Sequence, residues 1–338
     1  MIYNTTPNFD RQKYLKYIQT RAIKKTASGL GFFVFAYFAT MLVLSYVFIF
    51  ISFLATSFKS IDTVAMFYME IFISVFSAFV PGLFYFLISR RSISDTIKTS
   101  YVRQKELWAI VFVGMAVAMV ANTASEMIQT NFSFFGLQNT LDMTSKANSL
   151  LEIMLYIIST AVVPAFAEEF AFRGILMGTL RRFGDAFAII ASAIVFGAMH
   201  GNIVQVPFAF ILGLVFAYVD CKTNSILPSI IIHFINNFYA VMLDVLQNTG
   251  VFSDRVFMMI YFILIAVFCI LGLVSFFLII RKDKNYFRIS DKSIQACVNE
   301  PTNLLTLKEK IKAFFINPGT LFVMILFSIE TVINIGLI

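Results

Sequence analysis

Two adjacent carboxylates and a nearby arginine form the first group of residues that could do chemistry. Glu168 and Glu169 lie at the end of a long apolar stretch, and Arg173 follows four residues after Glu169. In a helix, Glu169 and Arg173 share one face, whereas Glu168 is turned about 100° away. We therefore expect Arg173 to neutralise Glu169, leaving Glu168 without a close counter-charge. A buried carboxylate of that kind can act as a base on water.

A charged collar is the alternative explanation for this group. Glu168, Glu169 and Arg173, followed by Arg181 and Arg182, could mark the point where a helix leaves a bilayer. Taken alone, this group favours the collar. The choice between the two interpretations therefore depends on the rest of the chain.

The histidines form the second group. His200 and His233 are the only two in the chain, and both occur in apolar stretches. Asn237 follows His233 by four residues and so shares its helical face, and Phe196 precedes His200 by the same spacing. We expect the Phe196 ring to pack beside His200 and fix its imidazole. The joint placement predicts convergent polar groups inside an apolar protein.

Composition identifies the elements that must position these residues. The 338 residues are 59% hydrophobic and 13% charged, where a soluble domain is about half apolar and a quarter charged. The 41 phenylalanines can face lipid without penalty. We predict an all-α, polytopic transmembrane helical bundle of eight or nine spans. The nine apolar runs cover residues 29–55, 64–88, 107–124, 150–167, 186–199, 203–219, 226–246, 256–280 and 321–338.

The distribution of charge predicts orientation and excludes some partners. All but Lys59, Lys146 and Arg255 of the 26 basic residues fall on one side of the predicted membrane, which places the N-terminus in the cytoplasm. The net charge of +7 thus reflects topology and not nucleic-acid binding. Cys221, Cys269 and Cys297 have neither zinc-site nor disulfide spacing.

The predicted organisation has four parts. Residues 1–28 form a cytoplasmic basic leader, 29–149 the N-terminal helices, 150–247 a catalytic helical core, and 248–338 the C-terminal helices with a cytoplasmic linker at 281–317. We expect a short basic amphipathic helix at residues 305–315. The outer segment 122–149 is either an interfacial helix or lid, or a plain connecting loop.

The three motifs together resemble a known family. Glu168-Glu169-x-x-x-Arg173, Phe196-x-x-x-His200 and His233-x-x-x-Asn237 occur in the order and approximate spacing of the CAAX protease and bacteriocin-processing membrane peptidases, which include the type II CAAX prenyl endopeptidases. The resemblance implies that Glu168 activates water and that Glu169 and Arg173 form a supporting ion pair. By the same resemblance, His200 positions or polarises the water, and His233 with Asn237 stabilises the oxyanion.

The predicted function is an intramembrane endopeptidase acting on a membrane-associated peptide or protein in the bilayer. We favour a glutamic mechanism without a cofactor, because asparagine is a poor zinc ligand and the HExxH motif is absent. A zinc ion held by Glu168, His200 and His233 is the alternative. The Ile-, Phe-, Asn- and Lys-rich composition favours a bacterium, and therefore an integral protein of the bacterial plasma membrane.

Two other functions compete. One is a non-catalytic membrane regulator or scaffold that uses the same polar cavity, and the other is a transporter, which the lack of repeated halves disfavours. The topology also creates a difficulty. Glu168 is predicted at the cytoplasmic end of the fourth span and His200 at the outer end of the fifth, so one site requires a tilted or recessed fifth span.

Overall fold

A computed structural model describes residues 7–55, 62–139, 147–289 and 304–337. Parts of the predicted outer segment (140–146) and linker (290–303) lie outside these ranges, as do Lys59, Lys146 and Cys297. All further structural statements concern the described residues.

The protein is a bundle of long apolar helices, as predicted. Seven helical stretches of the described chain are long and apolar enough to cross a membrane. They are α1 (Pro7–Ala55), α2 (Thr63–Ser89), α4 (Gln104–Phe134), the composite helix Leu150–Phe183, α9 (Gln205–Thr223), α10 (Leu227–Asn248) and α11 (Asp254–Lys282). The predicted all-α multi-pass architecture is confirmed.

The shorter elements complete the bundle. They are α3 (Ile93–Thr96), α8 (Asp185–Met199), α12 (Leu307–Phe315), α13 (Pro318–Ile333) and two strands, β1 (Leu137–Asn139) and β2 (Ile335–Leu337). The helices α12 and α13 meet at 76°, and counting this bent pair as one span gives eight. The predicted fifth span corresponds to α8, which has only 15 residues and is shorter than the about 20 that a span requires.

The composite helix differs from its predicted length. The predicted end at residue 167 is wrong, because the helix continues to Phe183. It consists of α5 (Leu150–Ile157), a π-helical turn (Ile158–Val162), α6 (Val163–Glu168), a longer π-helical segment (Glu169–Met177), α7 (Gly178–Leu180) and a final 3₁₀ turn (Arg181–Phe183). Of the charged residues that ended the hydropathy signal, Glu169 and Arg173 are buried against protein and Glu168 is only partly exposed, so they do not end the helix.

The outer segment and linker are only partly loops. The helix α4 continues through the predicted boundary to Phe134, and β1 then pairs antiparallel with β2. The predicted amphipathic helix is confirmed as α12, whose N-terminus is closed by a capping box between Thr306 and Glu309.

The helix α1 begins at Pro7 and passes through residue 28 without a break. The proposed domain limits stay predictions.

Two large groups of buried side chains hold most of the bundle together, and a third, smaller group around Phe67 and Leu155 joins α2 to the composite helix. The first large group joins α1, α2, the composite helix, α8 and α12–α13, and the second joins α4, α9, α10 and α11. The predicted functional residues lie where these groups meet, since Phe196 belongs to the first and Phe216 to the second. Large apolar side chains on the outside, such as Phe262 and Phe277 of α11, are exposed where lipid would surround them.

Candidate active site

Glu169 and Arg173 form a fully buried ion pair on the composite helix. The distance from Arg173 Nε to Glu169 Oε2 is 3.2 Å, and the two side chains are 1% and 0% exposed. The helical-face argument is therefore confirmed for this pair. A pair so completely removed from water is stable only while both partners are present, because either charge alone would be buried without compensation.

Aromatic rings hold the Arg173 guanidinium on two sides. Its central carbon lies 4.1 Å from the centroid of Phe196 and 5.0 Å from that of Phe216. None of its three nitrogens has a hydrogen bond of good geometry within the described residues. The charge is thus stabilised by Glu169 and by cation–π contacts, which are strongest at such dry sites.

His233 connects α10 to the ion pair. Its Nδ1 is 2.9 Å from Glu169 Oε1, and its ring stacks on Phe216 with centroids 5.2 Å apart. A carboxylate paired with arginine accepts hydrogen bonds, so His233 donates from Nδ1 and its Nε2 is directed to other partners. Glu169 therefore does more than neutralise Arg173, because it also fixes the orientation of this imidazole.

Glu168 has a different environment from its neighbour. Its side chain is 19% exposed, and its Oε2 lies 3.9 Å from His233 Nε2. The neighbouring Glu169 is fully buried, with Arg173 next to its Oε2 and His233 next to its Oε1. Of the two carboxylates, Glu168 is therefore the accessible one.

His200 approaches the same place from the end of α8. Its Nδ1 is 2.8 Å from the carbonyl oxygen of Phe196, so Nδ1 carries the proton and Nε2 is free to bind water. The Phe196 ring packs edge-on against it with centroids 4.9 Å apart, which confirms the predicted contact. Glu168 and His233 are both close enough to influence His200 electrostatically.

The longer composite helix removes the predicted topological difficulty. Glu168 lies in its middle and not at the cytoplasmic end. The helix α8 has only 15 residues, and Phe196 in its last turn packs against both His200 and His233, which places His200 at the same site.

Asn237 makes a contact that its predicted role did not include. Its Nδ2 donates to the carbonyl oxygen of Thr160 at 3.0 Å. Pro164 follows Thr160 by four residues and has no backbone N–H to donate to the Thr160 carbonyl. Asn237 thus joins α10 to the bend that precedes Glu168. Its predicted part in oxyanion binding stays a prediction.

Two further asparagines extend this link. Asn236 donates from Nδ2 to Asn237 Oδ1 at 3.2 Å and accepts at Oδ1 from Asn122 Nδ2 at 3.0 Å. The amide chain therefore ties α4, α10 and the composite helix together behind the site. Sequence reasoning missed Asn122 and Asn236, because amides carry no charge that hydropathy would flag.

Asp220 is the other residue that the sequence analysis missed. It is buried near the end of α9, and its two carboxylate oxygens accept from the backbone N (3.2 Å) and the Oγ (2.7 Å) of Ser229. Ser229 lies in the first turn of α10, one turn before His233, where backbone amides lack helical partners. Asp220 therefore caps α10 from a neighbouring helix. A carboxylate within a predicted span was the available signal.

The candidate site offers few side chains that could bind a metal ion. Within the described residues, no group of three His, Cys, Asp or Glu side chains has the placement needed to hold one. His233 already uses Nδ1 for Glu169, and His200 uses its Nδ1 for a backbone carbonyl. In the alternative zinc site, His200 and His233 would each bind the metal through the one remaining ring nitrogen. Glu168 would have to change its side-chain conformation to join them.

Comparison with known proteins points to the same helices. Residues 150–239 match the family model described as Type II CAAX prenyl endopeptidase Rce1-like. The protein named "Putative membrane peptidase YdiL" of Bacillus subtilis (strain 168) is 26% identical over 140 residues, which cover 41% of this chain and 56% of that relative. The "Membrane-embedded CAAX protease MroQ" of Staphylococcus aureus (strain USA300) is 24% identical over 148 residues, which cover 41% and 58%.

The similarity is therefore regional. The matched part spans little more than half the length of either relative, and no solved structure matches the chain. The matched region contains the composite helix, α8, α9 and the part of α10 that holds His233 and Asn237. The resemblance to the CAAX protease and bacteriocin-processing membrane peptidases, first inferred from three short motifs, is thus confirmed over residues 150–239 of this multi-pass membrane protein.

Proposed function

We propose that this protein is an intramembrane endopeptidase in which Glu168 activates the attacking water. The observation that carries the proposal is the unequal environment of the two adjacent carboxylates. Glu169 is sealed between Arg173 and His233, whereas Glu168 is partly accessible and lies 3.9 Å from His233 Nε2. A general base needs both access to water and a neighbouring group that directs the water, and only Glu168 has both.

The reaction requires no covalent intermediate with the protein. Glu168 takes a proton from water while the oxygen attacks the carbonyl carbon of the peptide. The oxyanion so formed accepts a hydrogen bond from the Nε2–H of His233 in its imidazolium form, whose Nδ1–H is donated to Glu169. Collapse of the tetrahedral intermediate breaks the C–N bond, and Glu168 returns its proton to the leaving amine. His200 Nε2 holds the water before attack.

The substrate class follows from the location of the site. Glu168 is in the middle of a spanning helix, so the scissile bond must belong to a peptide or protein associated with the membrane. Of the two relatives, one is named as a CAAX protease and both are bacterial. We assign a membrane-associated peptide or protein as substrate without specifying a prenylated one.

The test compares Glu168→Gln with Glu70→Gln, the same change in another spanning helix, α2, at a glutamate that contacts Ser159 and lies outside the proposed catalytic group. Membrane and secreted peptides of strains carrying each variant are compared by mass spectrometry with those of the wild type. We expect cleavage products to disappear only in Glu168→Gln, since losing a general base lowers the rate by about 10²–10⁴-fold. Retained products in Glu168→Gln would refute the proposal, and a phenotype fully supported by that variant would favour the regulator or scaffold.

The glutamic mechanism has a separate test. We expect the purified protein to contain zinc far below one equivalent and to keep its activity in chelator. Stoichiometric zinc, with activity lost to chelator and restored by metal, would show instead a metal-activated water held by Glu168, His200 and His233.

A further inference from the structure

A large groove lies between α1 and α2, away from the candidate active site. Its volume is about 820 Å³. Apolar and small side chains form most of its walls, including Phe32, Phe33, Ala36, Val80 and Phe84. The groove follows α1 from Ala22 to Thr40, which corresponds to about 27 Å at the helical rise of about 1.5 Å per residue. This length exceeds one leaflet of hydrocarbon, which is about 15 Å.

One end of the groove is strongly basic. Lys25 of α1, Arg91 after α2 and Arg182 at the end of the composite helix all line it. Arg91 and Arg182 are close enough to repel one another electrostatically. None of the ion pairs found among the described residues includes any of these three cations. A cluster of like charges at the entrance of an apolar groove is stabilised by an anion.

The Arg182 guanidinium has N–H groups that no described residue accepts. It is only partly exposed, its guanidinium lies over the Phe183 ring, and one Nη donates to Thr26 Oγ1. Its Nε is buried and has no hydrogen-bond partner in the described part of the chain. Guanidinium groups bind phosphate through several parallel N–H donors, and Arg182 lines the groove and is partly exposed, so its outer N–H groups can donate to a phosphate oxygen there.

We propose that this groove binds an anionic phospholipid. The phosphate lies among Lys25, Arg91 and Arg182, and an acyl chain follows the apolar wall between α1 and α2. Basic pockets between spanning helices recognise lipid headgroups in this way. The apolar wall favours a lipid over free phosphate, because a soluble anion would leave that surface uncovered. In the predicted orientation, the basic end faces the cytoplasmic leaflet. The proposal is independent of the peptidase activity.

The headgroup test uses pairs of neighbouring residues. The purified full-length protein is titrated with phosphatidylglycerol or phosphatidylcholine and examined by native mass spectrometry. The variant Lys25→Gln/Arg91→Gln is compared with Lys24→Gln/Arg90→Gln, which removes the same charge from residues that do not line the groove. We expect the first variant to weaken phosphatidylglycerol binding about 25-fold, at about fivefold for each basic residue, and the second less than about threefold.

The tail test uses Gly29, which lines the groove. A Cβ at this position would meet no atom within 4 Å, so Gly29→Leu extends into open space without disturbing the fold. We expect Gly29→Leu to weaken phosphatidylglycerol binding and Gly29→Ala to leave it nearly unchanged. Equal losses in the two charge variants, unaltered binding in Gly29→Leu, or competition by glycerol phosphate as effective as by the lipid would each overturn the proposal.

Discussion

The buried pair of Glu169 and Arg173 makes a quantitative prediction about stability. Arg173→Met leaves the Glu169 carboxylate, which is 0% exposed, without its counter-charge. Breaking a buried pair in this way lowers the free energy of unfolding by about 3–5 kcal/mol. Glu169→Gln should have a similar effect, because it leaves the guanidinium uncompensated. Glutamine retains an oxygen that can accept from His233 Nδ1, so the change isolates the charge.

The double variant Glu169→Gln/Arg173→Met removes both charges at once. What it still loses is the contact of the guanidinium with Phe196 and Phe216, which contributes about 2 kcal/mol at a desolvated site. We therefore expect it to be more stable than either single variant. Unfolding in mixed micelles of dodecylmaltoside and sodium dodecyl sulfate, followed by circular dichroism, measures all three. If the loss in the double variant equals the sum of the two single losses, the charges are not coupled and the reasoning is wrong.

Two further predictions concern packing and the positioning of α10. Gly178→Ala places a Cβ against the Thr96 carbonyl oxygen and should lower the unfolding free energy by about 1–3 kcal/mol. Gly29→Ala should be neutral or stabilising by up to about 1 kcal/mol in the same micelle titration. Asp220→Ala leaves the Ser229 amide unpaired and should lower the unfolding free energy by about 1–3 kcal/mol. Asp220→Asn keeps an acceptor oxygen and should lower it by less. Equal losses in these two variants would contradict the capping role.

Hydropathy located the spanning helices because lipid-facing and protein-facing surfaces of this chain are both apolar. It placed the end of the composite helix at residue 167, where Glu168 interrupts the apolar run. The helix continues because Glu169 and Arg173 neutralise each other inside the protein. A hydropathy window counts charges singly and contains no term for such pairing. The 76° bend between α12 and α13 falls at Asn317 and Pro318, where the Asn317 side chain caps α13, and hydropathy contains no information on that angle.

The candidate site was predictable where a residue type is rare in apolar surroundings. His200, His233 and the Glu-Glu pair stood out for that reason, and helical spacing gave the contact of Glu169 with Arg173. Spacing along one helix contains no information on partners from other helices. The bonds from His233 to Glu169 and from Asn237 to Thr160 could therefore be found only in the structure.

The two π-helical segments on either side of α6 affect how this site could be transferred to another protein. Each wide turn has the effect of one extra residue accommodated in an α-helix, and such turns are frequent at functional sites. A designer who copied the sequence onto an ideal helix would rotate the residues beyond Glu168 by about 100° for each lost π turn. Arg173 would then leave the face that meets Phe196 and Phe216. A scaffold for this motif must therefore reproduce its irregular backbone as well as its side chains.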